Sequence, residues 1–181
     1  MNTNFIPFPD LQTDRLLLRR LDKNDCIQLQ ELRSDEKVNR YLKRPKSIAI
    51  DECEAFVKKI DGNLNDGIGA YWIIAQKTDN TLIGTVCLWN FSIENETVDL
   101  GYELSPAYQG QGIMYETVEK VIAYAFNTMQ AKTILALTHP DNEGSLNVLK
   151  RNNFQQDVNY QYVSEEDAEG DVVYFLLAET K

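Results

Sequence analysis

The stretch from Asp99 to Tyr115 reads D-L-G-Y-E-L-S-P-A-Y-Q-G-Q-G-I-M-Y. Its first six residues alternate between large apolar side chains and other types, which predicts a strand with two unlike faces. Ser105-Pro106 predicts the end of that strand, because proline removes a hydrogen-bond donor and restricts the residue before it. Gly110 and Gly112 then predict a sharp turn, since neither carries a Cβ. A helical pattern of apolar residues follows the turn and predicts a long helix.

A turn of this kind, between a strand and a helix, is suited to binding a phosphate group. Unpaired backbone N–H groups and the positive end of the helix dipole meet at the start of the helix. The residues alone leave a simple connecting turn as the alternative. Two other phosphate motifs are excluded: Tyr115 stands where a dinucleotide fingerprint needs its third glycine, and no Gly-Lys-Ser/Thr follows the turn.

The segment Tyr108–Gly112, placed after a strand that ends in Leu-Ser-Pro, resembles the acyl-CoA pyrophosphate loop of the GNAT superfamily of N-acetyltransferases. Three further segments resemble other parts of that superfamily, in its order and spacing: Thr13–Arg19, Ile83–Val86 and Asn142–Phe154. Together they resemble the branch that contains the RimJ/RimL-type ribosomal-protein N-acetyltransferases. The resemblance runs from about residue 11 to residue 178.

The resemblance implies an α/β fold in one domain, residues 1–181. Its central sheet would be mixed and mostly antiparallel, with about six or seven strands, helices on both faces and a splayed opening next to the cofactor loop. Besides the strand of the opening stretch, the apolar patterns predict strands at Arg15–Leu21, Tyr71–Lys77, Leu82–Phe91, Thr133–Thr138, Val158–Val163 and Val172–Ala178. They predict helices at Cys26–Arg33, Asp35–Leu42, Ser47–Asn63, about 113–128 and Asn142–Arg151, with Asp61-Gly62 ending the third.

The resemblance also implies acetyl-CoA as co-substrate. Its pyrophosphate would lie on the amides of residues 110–114, and its thioester carbonyl near backbone donors between Gly101 and Ser105. The residues expected to contact it are Leu104, Gln109, Gly110, Gln111, Gly112, Ile113, Met114, Asn142, Ser145 and Lys150. Because glutamines stand where relatives often carry basic residues, backbone amides would do most of the phosphate binding.

Acetyl transfer to an amine needs a base, and Asp99 and Glu103 are the candidates from sequence. They are four residues apart and so share a face of the strand. The pattern does not choose between them, and a plain surface carboxylate is the alternative for each. Many family members place a tyrosine on the penultimate helix to stabilise the departing thiolate, but here Leu149 holds that position. The resemblance instead implies Ser145, whose hydroxyl can donate a hydrogen bond to sulfur.

Amines differ in how easily they lose a proton, and this difference limits which class of amine can be the acceptor. A lysine amine with a pKa near 10.4 is neutral about once in 2,500 molecules at pH 7, whereas an α-amine near 7.7–8.0 is neutral about one time in ten. Since the sequence shows no strong base, we expect a protein N-terminal α-amine as acceptor. A polyamine or another small amine is the alternative, and so is a non-catalytic CoA-binding module.

Composition limits the partners further. The chain has 181 residues and a formal net charge of −10, which argues against nucleic acid and anionic membranes as partners. We expect a cytoplasmic protein, monomeric or homodimeric, without a signal peptide or membrane span. The three cysteines, Cys26, Cys53 and Cys87, are an odd and widely spaced set without C-x-x-C, so neither a disulfide framework nor a zinc site is indicated. With His139 as the one histidine, we expect no metal.

Overall fold

The computed structural model describes residues 1–42, 50–160 and 171–178. Within them the strands are β1 (Leu11–Gln12), β2 (Leu16–Arg20), β3 (Ala70–Gln76), β4 (Leu82–Ser92), β5 (Thr97–Leu104), β6 (Thr133–Thr138), β7 (Gln155–Gln156) and β8 (Val172–Leu177). The helices are α1 (Cys26–Ser34), α2 (Glu36–Asn39), α3 (Ile50–Asn65), α4 (Ile113–Asn127) and α5 (Glu143–Arg151). One sheet has the order β1-β2-β3-β4-β5-β6-β8-β7. Every pair of neighbours is antiparallel except β5 and β6, which are parallel.

Tight turns connect the antiparallel strands β3, β4 and β5. Asn80 and Glu96 adopt positive φ angles of 60° and 54° in these two turns, a conformation that asparagine tolerates better than most residues. The antiparallel pairing then places Glu103 opposite Thr85 and Asp99 opposite Trp89. Side chains opposite each other in this way share a face of the sheet. The predicted strand–turn–strand pattern of this region is therefore confirmed.

Helices cover both faces of the sheet. On one face, α4 and α5 pack over the larger hydrophobic core and bury Val118, Val121 and Leu149. On the other face, α1 and α3 close a second core around Leu29 and Ile73. Because both sides of the sheet are covered, β5 is buried on both faces, although its sequence alternates. The predicted α/β architecture, with helices on both sides of a mixed sheet, is confirmed.

The sheet opens between β5 and β6. Their register runs only from Thr97 opposite Thr133 to Asp99 opposite Leu135, whereas β5 continues to Leu104 and β6 to Thr138. Beyond Asp99 the two strands separate. This gap lies next to the glycine loop that follows β5, which is the splay that the resemblance implied.

Several predicted features need correction. The second helix runs only from Glu36 to Asn39, not from Asp35 to Leu42. Gly62 does not end the third helix, which continues to Asn65; the left-handed glycine that ends it is Gly67, with φ +66°. The predicted start of this helix, residues 47–49, lies outside the described residues. The strand predicted at 158–163 is wrong in its described part, because pairing with β8 occurs at Gln155–Gln156 and the Asp157 side chain then accepts from the Asn159 amide in a turn. Residues 161–163 lie outside the described residues.

The sheet has eight strands rather than the predicted six or seven, because two edge strands have only two residues each.

A disulfide between Cys26 and Cys53 corrects the cysteine prediction. It joins α1 to α3, with both residues buried in the second core, while Cys87 on β4 is a free thiol. Sequence spacing could not indicate the pair, because a separation of 27 residues does not reveal how the two helices pack against each other. Within the described ranges, no helix combines the length and apolar character needed to cross a membrane.

We expect reduction of this disulfide to destabilise the fold. A cross-link closing 27 residues is worth about 3.5 kcal/mol in the chain-entropy description, so dithiothreitol should lower the free energy of unfolding by about 2–4 kcal/mol. Urea denaturation with and without the reductant measures this. The matched control, Cys87→Ala, should keep the same difference between the two conditions. Equal denaturation midpoints in the wild type would contradict the stabilising cross-link.

Candidate active site

The loop between β5 and α4 adopts the sharp turn that its glycines predicted. A short 3-10 turn at Pro106–Tyr108 follows the strand, and Gly110 and Gly112 then adopt φ angles of +74° and +75°. A Cβ built on Gly110 would meet no atom within 4 Å, so the backbone angle rather than crowding requires glycine there. The same observation shows open space in front of the loop. Gly112 is the residue immediately before α4.

Backbone amides line this open space. Among the described residues, none of the N–H groups from Gly110 to Tyr115 has a hydrogen-bond acceptor; the first main-chain bond of the turn joins the Glu116 amide to the Gly112 carbonyl. Six consecutive donors therefore remain at the positive end of the α4 dipole. This arrangement fits the diphosphate of a coenzyme A group, which needs several donors converging from one side.

Arg15 holds the loop in place, although the sequence pattern predicted for this residue only a position in a strand. The Arg15 guanidinium donates to the Gln111 carbonyl at 2.8 Å and forms an ion pair with Glu116 at 2.7 Å. Thr13 also donates a hydrogen bond to the Glu116 carboxylate. The start of α4 is thereby tied to the chain segment before β2. A long-range pair of this kind, whose members are 101 residues apart, leaves no local sequence signal.

The two loop glutamines bond to the loop itself. The Gln109 side chain donates to the Leu104 carbonyl at 3.1 Å, and the Gln111 side chain donates to the Ala107 carbonyl at 3.0 Å. These bonds stabilise the turn. Because both side chains bond within the loop, the arrangement agrees with phosphate binding by the main-chain amides. Their predicted contacts with the cofactor stay predictions.

Positive charge from α5 lies near the same helix start. The Arg151 guanidinium stacks 4.5 Å above the ring of Tyr115 in the first turn of α4. The neighbouring Lys150 is exposed on α5, and its contact with the cofactor stays a prediction. Of this pair, Arg151 is the one whose position next to the loop is fixed by a contact.

A cavity of about 240 Å³ occupies the gap between β5 and β6. It is lined by Tyr41, Leu42, Leu100, Gly101, Tyr102, Ala136, Leu137, Thr138, His139, Asn142, Ser145 and Asp171. The Ser105 amide bonds to the Ile83 carbonyl of β4, and successive amides of a strand alternate between its edges. The amides of Tyr102 and Leu104 therefore face the gap, within the predicted span of carbonyl-binding donors.

Ser145 and Asn142 meet at the start of α5. The Ser145 amide donates to the Asn142 side chain at 3.2 Å, so Asn142 caps the helix. The Ser145 Oγ lies 2.8 Å from the hydroxyl of Tyr102 on β5. Leu149, one turn further on, is fully buried in the core, so no hydroxyl is present at the position where many relatives carry tyrosine.

Tyr102 is a site residue that the sequence pattern did not reveal. Its place in the alternating strand pattern indicated a core side chain, and its ring does pack against the larger core. Burial raises the pKa of the Tyr102 hydroxyl to about 12, although its hydrogen bond with Ser145 acts in the opposite direction. Tyr102 therefore remains a hydrogen-bond donor at neutral pH.

The two candidate bases lie on the opposite face of β5, and both are buried. Asp99 is 6% exposed and Glu103 8%, so the alternative of plain surface carboxylates is wrong for both. The Glu103 carboxylate forms an ion pair with Arg33 at 3.0 Å and accepts from the Thr85 hydroxyl at 2.9 Å. Asp99 accepts a hydrogen bond from the Asn90 side chain at 2.9 Å. Burial raises the pKa of the Asp99 carboxyl, and the bond from Asn90 offsets part of this.

Aromatic side chains surround these carboxylates. Trp89, opposite Asp99 in the register, is half exposed, and the guanidinium of Arg33 lies 4.3 Å above the ring of Phe56.

Burial, with the charge of Glu103, raises the pKa of the Cys87 thiol to about 12. Since the thiolate is the reactive form, Cys87 is not a suitable nucleophile for carrying an acetyl group.

His139 lies in the wall of the cavity. Its ring stacks on Tyr41 with centroids 5.2 Å apart, and its Nδ1 accepts a hydrogen bond from the Asp141 amide. Across the part of the chain that the structure describes, no group of three His, Cys, Asp or Glu side chains could hold a metal ion.

A model of the "Acetyltransferase (GNAT) domain" family matches residues 15–155. This chain belongs to the GNAT acetyltransferase family. The matched span contains the gap, the glycine loop and α5, so the acyl-CoA-dependent acetyltransferase activity predicted from the resemblance is supported by family membership. The chain is therefore an N-acetyltransferase.

Several curated relatives match most of the chain. The uncharacterized N-acetyltransferase YoaA of Bacillus subtilis is 27% identical over 150 residues, covering 83% of this chain and 85% of its own length. The [ribosomal protein uS5]-alanine N-acetyltransferase of Escherichia coli is 24% identical over 160 residues, covering 84% and 81%.

Solved structures share the fold. The RimL ribosomal L7/L12 α-N-protein acetyltransferase in complex with coenzyme A superposes with a TM-score of 0.82 at 20% identity, covering 93% of this chain and 98% of its own. Spermidine N-acetyltransferase from Vibrio cholerae, in complex with coenzyme A and spermine, gives a TM-score of 0.74 at 17% identity and covers 91% and 96%. The predicted likeness to the RimJ/RimL branch is thus found again among the structural neighbours.

We expect Asp99→Asn to stabilise this acetyltransferase at neutral and higher pH. A raised carboxyl pKa means that the folded state binds the proton more tightly than the unfolded state does, so stability falls as pH rises from the ordinary value near 3.9 through the raised one. Asparagine removes the buried charge and can still accept from Asn90. Melting temperatures from pH 4 to pH 8 should show the variant above the wild type at pH 8, with the gap closing towards pH 4.

The matched control is Asp79→Asn, because hydrogen bonds from Thr81 lower the pKa of this exposed carboxyl. Its effect on the melting temperature at pH 8 should therefore have the opposite sign. A lower melting temperature for Asp99→Asn than for the wild type at pH 8 would show that the ionised Asp99 side chain stabilises the fold.

Proposed function

We propose that this acetyltransferase transfers an acetyl group from acetyl-CoA to the α-amine of a protein N-terminus. The observation that carries the proposal is the gap where β5 leaves β6 after Asp99. A serine hydroxyl and strand backbone line this opening, and the buried Asp99 lies on β5 where the opening begins. These are the groups that transfer from a thioester to an amine requires.

The glycine loop and the gap would together bind acetyl-CoA. The amides of residues 110–115 would receive its diphosphate, and the cavity above Ser145 would receive its thioester. The amides of Tyr102 and Leu104 face the gap and would donate to the thioester carbonyl oxygen as it gains negative charge. Preorganised backbone donors of this kind stabilise the transition state, because they need no rearrangement when the charge develops.

Asp99 is our candidate for the base. It is the last residue of β5 paired with β6, so it lies where the gap begins, on the face opposite Tyr102. Its raised pKa makes it a better proton acceptor than an ordinary aspartate. The Glu103 carboxylate accepts hydrogen bonds from Arg33 and Thr85. We therefore assign Glu103 a supporting role on the acceptor side of the site.

On this face, the described residues include the cation Arg33 and two carboxylates, Glu103, which pairs with it, and Asp99. A protein N-terminus carries one positive charge, and its α-amine loses a proton readily at neutral pH. The names of the uS5-alanine and L7/L12 acetyltransferases support the same acceptor class.

A polyamine is the second candidate acceptor. Its specific support is the fold shared with spermidine N-acetyltransferase, together with the net charge of −10. A polyamine carries several positive charges, and the Arg33 guanidinium disfavours such a ligand on this face. A module that binds coenzyme A without turnover is the third possibility left by the sequence, and turnover with any acceptor excludes it.

The test measures coenzyme A release with three acceptors: a peptide with a free N-terminal alanine, the same peptide N-acetylated and carrying an internal lysine, and spermidine. We expect kcat/KM for the free N-terminus to exceed both others by at least about tenfold, because its amine is deprotonated more easily. Asp99→Asn should lower kcat by about 10²–10⁴-fold with this peptide. Glu103→Gln is the paired variant on the same strand and should be the milder of the two in kcat.

Three results would contradict the proposal. Preference for spermidine would move the acceptor to the polyamine class. Tight binding of acetyl-CoA without release for any acceptor would favour the binding module. Unchanged kcat in Asp99→Asn, across pH 6 to 9, would remove Asp99 from proton transfer.

A further inference from the structure

The contact between Tyr102 and Ser145 connects a strand to a helix inside the cavity. The two hydroxyl oxygens lie 2.8 Å apart, while the next acceptor near the Tyr102 hydroxyl, the Ser145 carbonyl, is 3.4 Å away. The phenol is a stronger acid than the alcohol of serine and is the better donor. The 2.8 Å distance allows either hydroxyl to donate; donation from Tyr102 to Ser145 Oγ is the direction expected of the stronger acid.

This direction decides where the serine proton points. Once the Ser145 oxygen accepts from Tyr102, its own proton is free to be donated elsewhere. The cavity lies beside it, since both residues line that space. Without Tyr102, a helical serine can instead turn its hydroxyl to a carbonyl of the preceding turn, which is the usual alternative for this side chain.

We propose that Tyr102 is a positioning residue for thiolate departure, holding Ser145 so that its hydroxyl proton points to the leaving sulfur. This inference rests on the proposed function, and in particular on the thioester lying in the cavity. It does not depend on which amine is the acceptor. On α5, Leu149 has no hydroxyl to offer the leaving sulfur. Tyr102 instead brings a tyrosine hydroxyl to the cavity from β5.

The step that Tyr102 assists involves hydrogen bonding and no proton transfer from the serine. The amine nitrogen bonds to the carbonyl carbon, its proton passes to Asp99 or to water, and the carbon–sulfur bond breaks with its electron pair on sulfur. Ser145 keeps its proton, because its alcohol is a much weaker acid than a thiol. The thiolate is stabilised by the bond from Ser145, and that bond is strengthened when Tyr102 polarises the serine oxygen.

Burial keeps Tyr102 in the form that this role needs. The pKa of its hydroxyl is raised to about 12, so it stays protonated throughout the range in which the enzyme would be assayed. The assistance from Tyr102 should accordingly be independent of pH between about 6 and 10.

The test is a double-mutant cycle with Tyr102→Phe and Ser145→Ala, assayed with whichever amine the wild type acetylates. Tyr102→Phe removes the hydroxyl and keeps the ring; we expect kcat to fall about fivefold to tenfold, with KM for acetyl-CoA within twofold of the wild type. The double variant should be no slower than Ser145→Ala alone, because both changes remove the same bond to sulfur. The ratio of wild-type to Tyr102→Phe kcat should stay constant from pH 6 to 10.

Tyr124→Phe is the matched control. Tyr124 is a partly buried tyrosine on α4 whose ring packs against Trp72 and Phe5, away from the cavity residues. Its loss of a hydroxyl should leave kcat unchanged. If Tyr102→Phe lowers the melting temperature by more than about 10 °C, replacing all tyrosines by 3-fluorotyrosine in the wild type and in Ser145→Ala gives the same answer. A more acidic phenol should raise kcat only where Ser145 is present.

The outcomes separate the two proposals. Fully additive effects of the two substitutions, or a fluorotyrosine effect that persists in Ser145→Ala, would overturn the positioning role while the proposed function stands. Unchanged kcat in a folded Tyr102→Phe variant would do the same. A wild type that releases no coenzyme A with any acceptor overturns the proposed function, and this inference with it.

Discussion

Two interruptions of backbone hydrogen bonding create this site. The first is the end of pairing between β5 and β6 at Asp99, which leaves the amides of Tyr102 and Leu104 facing a gap. The second is the start of α4, where the amides of residues 110–115 have no acceptor among the described residues. Backbone donors without partners bind anionic or electron-rich groups strongly. Both interruptions adjoin the same loop, so the donors that we propose for the thioester and for the diphosphate lie on either side of it.

Side chains alternate along β5, so the residues proposed for thiol departure and those proposed for amine deprotonation lie on opposite faces of the sheet. Tyr102 points towards α5 and Ser145, where the thiol would leave, whereas Asp99 and Glu103 point towards α1 and α3, where the amine would arrive. In the proposed function, the gap between β5 and β6 connects the two faces. Both faces are covered by helices, and the resulting burial is what raises the pKa of the Asp99 carboxyl and of the Tyr102 hydroxyl.

Local patterns were sufficient for the main elements, because each is encoded within a few neighbouring residues. The positive φ angles at Gly110 and Gly112 and the helix cap at Asn142 follow from the properties of those residue types. Contacts between distant segments could not be read in this way. The braces from Arg15 to Glu116 and from Arg33 to Glu103 join residues 101 and 70 positions apart, and the Cys26–Cys53 pair depends on how α1 packs on α3. Tyr102 was missed because a core tyrosine and a site tyrosine have the same strand pattern.

The most direct measurement is the affinity for acetyl-CoA of a variant with both Gly110 and Gly112 changed to valine, by isothermal titration calorimetry. A β-branched residue at these positive φ angles distorts the turn and places methyl groups in front of the amides. We expect the dissociation constant to rise at least about 100-fold, with a circular dichroism spectrum like that of the wild type, since a Cβ at Gly110 meets open space. An unchanged dissociation constant in a folded double variant would contradict the central claim that these main-chain amides hold the diphosphate.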